Sequence, residues 1–162
     1  MKNIMKNFFA FTFILFLFSS ASIVAQDIVS PKPEKNVPIT VSQSFISKFP
    51  QKEPIWFTQY QGRYSDKLVY EARFIFDNRY STAVYNRDGN LIAFAATIET
   101  SEVPNKAIEY MKTNYSKHEI TQAMTVSRDD MEATVELGIY INNRFTVVVF
   151  DKDGNFIKTT LG

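Results

Sequence analysis

Two stretches of the chain decide the fold: residues 78–92, NRYSTAVYNRDGNLI, and residues 143–157, NRFTVVVFDKDGNFI. The second follows the first at a constant offset of 65 residues, and seven of the fifteen aligned pairs are identical. Most of the other pairs are conservative, such as tyrosine with phenylalanine. Self-similarity at a fixed spacing indicates a duplicated structural unit. The sequence therefore predicts two tandem copies, copy one at 37–99 and copy two at 103–162.

Each copy is predicted to begin with a helix and to continue with β-strands. Val37-Pro38 and Val103-Pro104 open the two copies, and apolar residues at helical spacing follow. Those residues are Val41, Phe45, Ile46 and Phe49 in copy one, and Ala107, Ile108, Met111 and Tyr115 in copy two. Asp88-Gly89 and Asp153-Gly154 are typical hairpin turns. The expected fold class is α+β, with two tandem helix-plus-antiparallel-sheet repeats forming one extended sheet backed by two helices.

The register of two hairpins decides which side chains the helices cover, because a one-residue slip exchanges the faces of a strand. Three-residue loops at 77–79 and 142–144 segregate polarity in both copies, and we expect that register. Two-residue loops are the alternative, and they would place Thr146, Val148 and Phe150 beside Leu137 and Ile139. The expected register leaves one set of side chains on the open face: Glu71, Arg73, Ile75, Ser81, Ala83, Tyr85, Glu136, Tyr140, Thr146, Val148 and Phe150.

This set mixes aromatic, aliphatic and charged side chains, which is the composition of a recognition surface. A plainly solvated face is the alternative, since antiparallel sheets commonly leave one face to water. Trp56 is a further candidate, either as a binding anchor at the sheet edge or as a core residue. The candidate partner-binding residues are Trp56, Glu71, Arg73, Tyr85, Glu136, Tyr140 and Phe150.

The N-terminal stretch at 1–25 is predicted to be a secretory signal peptide. Lys2 and Lys6 precede an apolar run at 8–18, and small residues follow. That run is shorter than the roughly 20 residues that span a bilayer. Cleavage is expected after Ala25, with Ala21 as the alternative.

The proline-containing segment at 26–36 is expected to be an extended linker. The chain has no cysteine, so no cysteine can carry the lipid of a bacterial lipoprotein. The mature form is therefore expected to be periplasmic or secreted, without a membrane anchor.

Charge and residue types argue against several functions. The whole chain has 18 basic and 17 acidic residues, and removal of 1–25 leaves a net charge of −1. Nucleic-acid binding needs a clear basic excess, so no nucleic-acid partner is expected. Without cysteine and with His118 as the single histidine, we expect no catalytic triad, no zinc site and no cofactor. Residues 151–155, DKDGN, lack the spacing of a calcium loop and predict a hairpin turn.

Several of these features together resemble a family. Val-Pro before an amphipathic helix, Phe49-Pro50, Trp56, the Tyr-x-Ala-x-Phe strand at 70–74 and the Asp-Gly turn are similar to PepSY-like, beta-lactamase-inhibitor-like proteins, which are exported proteins frequent in Bacteroidota. The resemblance implies a helix and an antiparallel sheet in each copy, with the sheets side by side and the helices on the convex side. It implies no catalytic residues. Copy two departs from the pattern, because Ser116 replaces the proline and no tryptophan matches Trp56.

Three functional hypotheses of different classes are weighed against the sequence. The leading one is an exported, non-catalytic module that binds a protein or peptide of the cell envelope through the open face. Inhibition of a secreted hydrolase is a narrower form of it that rests on the resemblance. The alternative is a structural or envelope-homeostasis protein with no discrete ligand site. An enzyme would require a pair of catalytic carboxylates, and no spacing singles one out.

Overall fold

A computed structural model describes residues 32–60, 63–65, 67–128 and 131–162. The predicted signal peptide at 1–25 lies outside the described residues. So does the first part of the predicted linker, at 26–31.

Each copy contributes one helix and four strands. Copy one contains α1 (Ile39–Lys48), β1 (Ile55–Gln59), β2 (Val69–Phe76), β3 (Arg79–Tyr85) and β4 (Leu91–Thr97). A short 3₁₀ turn at Thr100–Glu102 leads to copy two, which contains α2 (Asn105–Asn114), β5 (Gln122–Arg128), β6 (Thr134–Ile141), β7 (Arg144–Phe150) and β8 (Phe156–Leu161).

The eight strands form one antiparallel sheet in the order of the sequence, from β1 to β8. The two copies meet where β4 pairs with β5, from Ala93 opposite Arg128 to Thr97 opposite Met124. The predicted fold class, two helix-and-sheet repeats joined in one extended sheet, is confirmed. No helix among the described residues has the length and apolar character needed to cross a bilayer.

Both helices pack on the same side of the sheet, each against the strands of its own copy. In copy one, Phe45 lies edge-on to Phe74, with ring centroids 4.9 Å apart, within a buried cluster. In copy two, Ala107 and Met111 of α2 pack against Leu137 and other apolar residues of the strands. Burial of these side chains from water is the main stabilising term of the fold.

The duplicated Asp-Gly turns dock against the helices, which explains why both copies keep them. Gly89 and Gly154 have φ values of 86° and 85°, a region that side chains rarely adopt. A Cβ atom at Gly89 would lie 2.8 Å from the carbonyl oxygen of Thr40, and one at Gly154 would lie 2.9 Å from the backbone nitrogen of Ala107. The predicted hairpin turn at 151–155 is confirmed, since the Oδ1 atom of Asp151 accepts the backbone N–H groups of two residues of that turn.

The expected three-residue hairpin loops are wrong, because both hairpins have two-residue turns. Ile75 pairs with Tyr80 across the first turn, and Tyr140 pairs with Phe145 across the second. The turn residues all have positive φ: Asp77 (47°), Asn78 (61°), Asn142 (50°) and Asn143 (62°). Two successive residues with positive φ are the requirement of a type I′ turn, and asparagine and aspartate tolerate that conformation.

Two small hydroxyl residues explain why the polarity argument failed. Ser81 and Thr146 are buried on the helix side of the sheet, whereas the predicted register placed both on the open face. The Ser81 hydroxyl donates to the carbonyl oxygen of Arg79, and the Thr146 hydroxyl donates to that of Arg144. These local hydrogen bonds remove most of the cost of burying a hydroxyl.

The corrected register moves several predicted open-face residues under the helices. Tyr85 and Phe150, two candidate binding residues, are 1% and 0% exposed and belong to the two helix-covered clusters. Ser81, Ala83, Thr146 and Val148 move with them. Trp56 also lies on the helix side, half-buried, with its ring 5.5 Å from that of Phe45. Of the two interpretations of Trp56, the core residue therefore describes its position.

Candidate functional site

The candidate site is the open face, the side of the sheet away from the helices. The pairing registers place four of the predicted residues there: Glu71, Arg73, Glu136 and Tyr140. The first three lie in the middle of their strands, whereas Tyr140 lies next to a hairpin turn. The open face is divided into two parts, because the chain between β1 and β2 crosses it.

This crossing loop, of which the structure describes residues 60, 63–65 and 67–68, covers the central strands. Tyr64 packs against Val69, Val84 and Ala93 of copy one. It also packs against a second cluster, formed by Ala95, Met124 and Val126, that spans the junction of the two copies. Burial raises the pKa of the Tyr64 hydroxyl, and the charge of the adjacent Arg63 opposes that rise. Tyr64 therefore acts as an apolar bridge between the copies.

Beside Tyr64, one carboxylate of copy two holds two guanidinium groups. The Nε atom of Arg63 donates to Oε2 of Glu136 at 2.6 Å, and Nη2 of Arg128 donates to Oε1 at 2.8 Å. Arg63 also donates from Nη1 to Oε1 of Gln122 at 3.0 Å. The carboxylate thus has one arginine at each oxygen, and one of the two arginines comes from copy one.

The cluster is buried, and this decides its role. The side chains of Arg63 and Glu136 are 7% and 0% exposed, and that of Arg128 is 24% exposed. A buried ion pair contributes little net stability compared with an apolar core, but removing one partner leaves an uncompensated charge at high cost. The cluster therefore fixes the crossing loop to copy two, and Glu136 is not accessible to a partner.

The corresponding carboxylate of copy one has a simpler environment. Glu71, which is almost fully buried, accepts hydrogen bonds from Arg73, with Nη2 at 2.7 Å and Nε at 3.3 Å from its Oε2 atom. The Arg73 side chain is 31% exposed, and its guanidinium lies over the ring of Phe57 at 4.2 Å. Two contacts hold this cation in one orientation at the surface.

The end of the open face beside the two-residue turns at 77–78 and 142–143 is called the hairpin end. A depression of about 200 Å³ lies between the crossing loop and this hairpin end. Its lining comes from both halves of the sheet and from the loop: Gln59, Arg63, Tyr64, Glu71, Arg73, Tyr80, Thr82, Gln122, Met124, Phe145 and Gly162. Side chains of β2 and β3 line one part of it, and Phe145 of β7 lines another. A volume of this size exceeds the share of one water molecule, about 30 Å³, severalfold and can hold one side chain.

Exposed apolar side chains lie around the hairpin end of this face. Ile75, Tyr80 and Tyr140 are 54%, 46% and 56% exposed. The ring of Tyr140 lies 5.4 Å from that of Phe145, and Phe145 lies over Gly138, where a Cβ atom would come within 2.5 Å of the ring. Aromatic groups that are held in place and exposed are typical anchors of protein interfaces.

Sequence reasoning missed the residues that divide the face. Arg63 and Arg128 are 65 residues apart, as are Glu71 and Glu136, so the same offset that revealed the duplication relates these pairs. The sequence therefore carries a signal for an arginine and a glutamate in each copy. It carries no signal that Arg63 would pair with the glutamate of the other copy. Tyr64, within the same loop, was also missed.

The described residues show no arrangement for metal or triad chemistry. In this part of the chain no group of three or more histidine, aspartate or glutamate side chains is placed to hold a metal ion. His118 contacts the carbonyl oxygen of Tyr140 through Nδ1 at 2.8 Å. Glu71 and Glu136 are each hydrogen-bonded to arginine and are 3% and 0% exposed.

Comparisons with known proteins identify the fold. No family model matches the chain, and no curated protein matches it. A protein of the DUF2874 family from Bacteroides uniformis has a similar structure, with a TM-score of 0.61, 14% identity, and coverage of 76% of this chain and 88% of that one. A protein described as periplasmic from Bacteroides eggerthii has a TM-score of 0.62 at 14% identity, covering 78% and 89%. A BLIP-like protein from Bacteroides fragilis has a TM-score of 0.55 at 10% identity, covering 83% and 90%.

Proposed function

We propose that this chain is an exported, non-catalytic module that binds a loop or peptide of another protein through the hairpin end of its open face. One observation carries the proposal: a side-chain-sized depression lies beside exposed, oriented aromatic and aliphatic groups. The helices cover the other side of the sheet, and the crossing loop covers the central strands. The hairpin end is left as a concave, mixed surface, the composition expected of a recognition site.

Export to the periplasm or beyond is part of the proposal. It is supported by the charged, apolar and small-residue order of 1–25 and by the periplasmic description of a structural neighbour. N-terminal sequencing of the protein recovered from an envelope fraction tests it. A mature N-terminus at Gln26, or at Ser22 for the alternative site, is the expected result. An intact Met1 would contradict it.

The binding proposal is tested by affinity capture from envelope extracts with matched surface variants. The first variant combines Tyr80→Ala and Tyr140→Ala, which removes two exposed aromatic groups from the open face. The control combines Ile39→Ala and Ile46→Ala, which removes two exposed apolar groups from α1 on the opposite side. All four side chains are exposed, so both variants should fold.

The expected result is a partner that wild type and the α1 control capture equally and the open-face variant loses. Capture that survives the open-face variant and fails with the α1 control would place recognition on the helices and reject the proposal. A chain that captures no saturable partner would favour the structural, envelope-homeostasis alternative.

Inhibition of a secreted hydrolase is the narrower proposal. It is supported by the PepSY-like, beta-lactamase-inhibitor-like features of the sequence and by the fold shared with a BLIP-like protein. Assays of the mature protein against a panel of beta-lactamases and proteases test it. Saturable inhibition that the Tyr80→Ala/Tyr140→Ala variant abolishes is expected, and inactivity across the panel would reject the inhibitor role while leaving the binding proposal intact.

A further inference from the structure

The chemistry of the depression indicates what its occupant carries. Its charged lining residues are two arginines, Arg63 and Arg73, and one glutamate, Glu71. Glu71 is 3% exposed, and its Oε2 atom already accepts both hydrogen bonds from Arg73. The one acidic side chain of the described lining is thus turned to an internal partner.

Part of the Arg73 guanidinium remains available as a hydrogen-bond donor. Nε and Nη2 of Arg73 point to Glu71, and no described residue accepts a hydrogen bond from its Nη1 atom. Stacking on Phe57 holds the guanidinium plane, so the remaining N–H groups have a fixed direction. An oriented guanidinium loses less conformational entropy on binding than a freely rotating one.

Gln122 adds a second donor. Its Oε1 atom accepts a hydrogen bond from Arg63 at 3.0 Å, which assigns the carbonyl end of the amide to the arginine. The amide NH₂ group is therefore the end available to a ligand, because an amide presents one acceptor and one donor end. Glu71 Oε2 and the Gln122 carbonyl oxygen are thus engaged by arginines of the protein, whereas Nη1 of Arg73 and the Gln122 NH₂ group are available to a ligand.

We infer that the depression receives a carboxylate side chain, an aspartate or glutamate on a loop of the partner protein, which Arg73 and the Gln122 amide bind. This inference rests on the proposed function and names the partner's chemistry at the same site. The adjacent cluster of Arg63, Arg128 and Glu136 has two cations for one anion, so its field also favours a negative group. Tyr80 and Phe145, which also line the depression, contact the loop that carries the acid.

A library of disulfide-closed random loops displayed on phage tests the inference with a defined probe. Loops are selected on the immobilised mature protein and counter-screened on the Tyr80→Ala/Tyr140→Ala variant, so that only loops that depend on the open face are kept. Those loops should be enriched in aspartate or glutamate at one position. Replacing that acid by its amide should weaken binding by about tenfold or more, the ratio expected for roughly 1.4 kcal/mol.

A substitution at Arg73 tests whether this residue binds the acidic side chain of the loop. Arg73→Lys retains the charge and removes the planar fork, so acidic loops should bind it more weakly, whereas their amide versions should bind it as they bind wild type. Thermal unfolding verifies that this variant is folded.

The outcomes separate the two proposals. Open-face-dependent loops without an acidic preference would overturn the carboxylate inference and leave the proposed function standing. Loops that bind regardless of the open-face variant, or a selection without any open-face-dependent loop, would overturn both.

Discussion

The two copies use the same pair of residues differently on the open face. Arg128 and Glu136 belong to copy two and form an ion pair within their own copy. The equivalent residues of copy one, 65 positions earlier, are Arg63 and Glu71, and they do not pair. Arg63 instead crosses to Glu136, and Glu71 pairs with Arg73.

The difference has a local origin in strand length. β5 runs to Arg128, which keeps that arginine in the sheet beside its own glutamate. β1 ends at Gln59, four residues before the equivalent position, and the chain leaves the sheet there. With the shorter β1, the arginine of copy one links the two copies instead of pairing within its own copy.

The difference between the two copies predicts the largest change in stability at the two glutamates. Glu136→Gln leaves two arginines around a neutral amide inside the protein, so the free energy of unfolding should fall by about 3–5 kcal/mol. Glu71→Gln removes the partner of one arginine that is partly exposed to solvent, so the loss should be about 1 kcal/mol. Urea unfolding of both variants at neutral pH measures the difference. Equal losses would show that the cross-copy cluster has no special role.

The docked turns should behave alike in the two copies. Gly89→Ala and Gly154→Ala each force a side chain into positive φ and towards a helix backbone, at a cost of about 1–3 kcal/mol. Thermal unfolding of the two variants checks this. A loss of stability in one copy only would mean that the turns do not have the same structural role. An exposed control such as Lys158→Ala should change the unfolding temperature little.

A smaller effect is expected at a position where the copies differ by one hydroxyl. Tyr85 and Phe150 are equivalent, and the buried Tyr85 hydroxyl has no hydrogen-bond partner among the described residues. Tyr85→Phe should therefore raise stability by about 1 kcal/mol. Burial raises the pKa of Tyr85 to about 12, whereas an unfolded tyrosine ionises near 10, so wild type should lose stability as pH rises from about 10 towards 12.

Urea unfolding at neutral and alkaline pH compares wild type with Tyr85→Phe. The variant should lack the part of the alkaline decline that Tyr85 causes. Lower stability of the variant at neutral pH would indicate that the hydroxyl is hydrogen-bonded.

The smallest effect is expected at the turn residues Asn86 and Asp151. Both side chains accept two backbone N–H groups of their turns through Oδ1. Hydrogen bonds hold the pKa of Asp151 below its usual value, and the bond from the Asn155 side chain contributes most to this lowering. Its stabilising effect is complete above the pKa of an unfolded aspartate and is lost as pH falls towards the lower folded-state pKa.

Asp151→Asn should therefore have a small effect at neutral pH and should flatten the acid side of the stability profile. Acid titration followed by circular dichroism measures it. An unchanged acid side would contradict the assigned role of Asp151.

The fold could be predicted from the sequence because its strongest signals are local and duplicated. The Asp-Gly turns, the helical stripes and the constant offset all act within a few residues, and two copies of each pattern support one another. The register could not be predicted in the same way. Buried hydroxyls at Ser81 and Thr146 resemble surface residues in sequence, and only the backbone conformation of the two-residue turns outweighs that resemblance.

The error in register also explains why the candidate site was predicted only in part. Glu71, Arg73, Glu136 and Tyr140 lie on the open face as expected, and Tyr85 and Phe150 were misplaced by the one-residue error in register. The partner of Arg63 depends on where a loop lies in space, which no periodic pattern encodes. The division of the open face is therefore a tertiary feature that only the structure reveals.

The central claim, that the hairpin end of the open face is the recognition surface, is tested most directly by hydroxyl-radical footprinting of the complex with its captured partner. The account predicts slower oxidation of Tyr80 and Tyr140 in the complex than in the free protein, and unchanged oxidation of Ile39 and Ile46 on α1. Unchanged oxidation of the two tyrosines, with protection of the α1 residues, would contradict it.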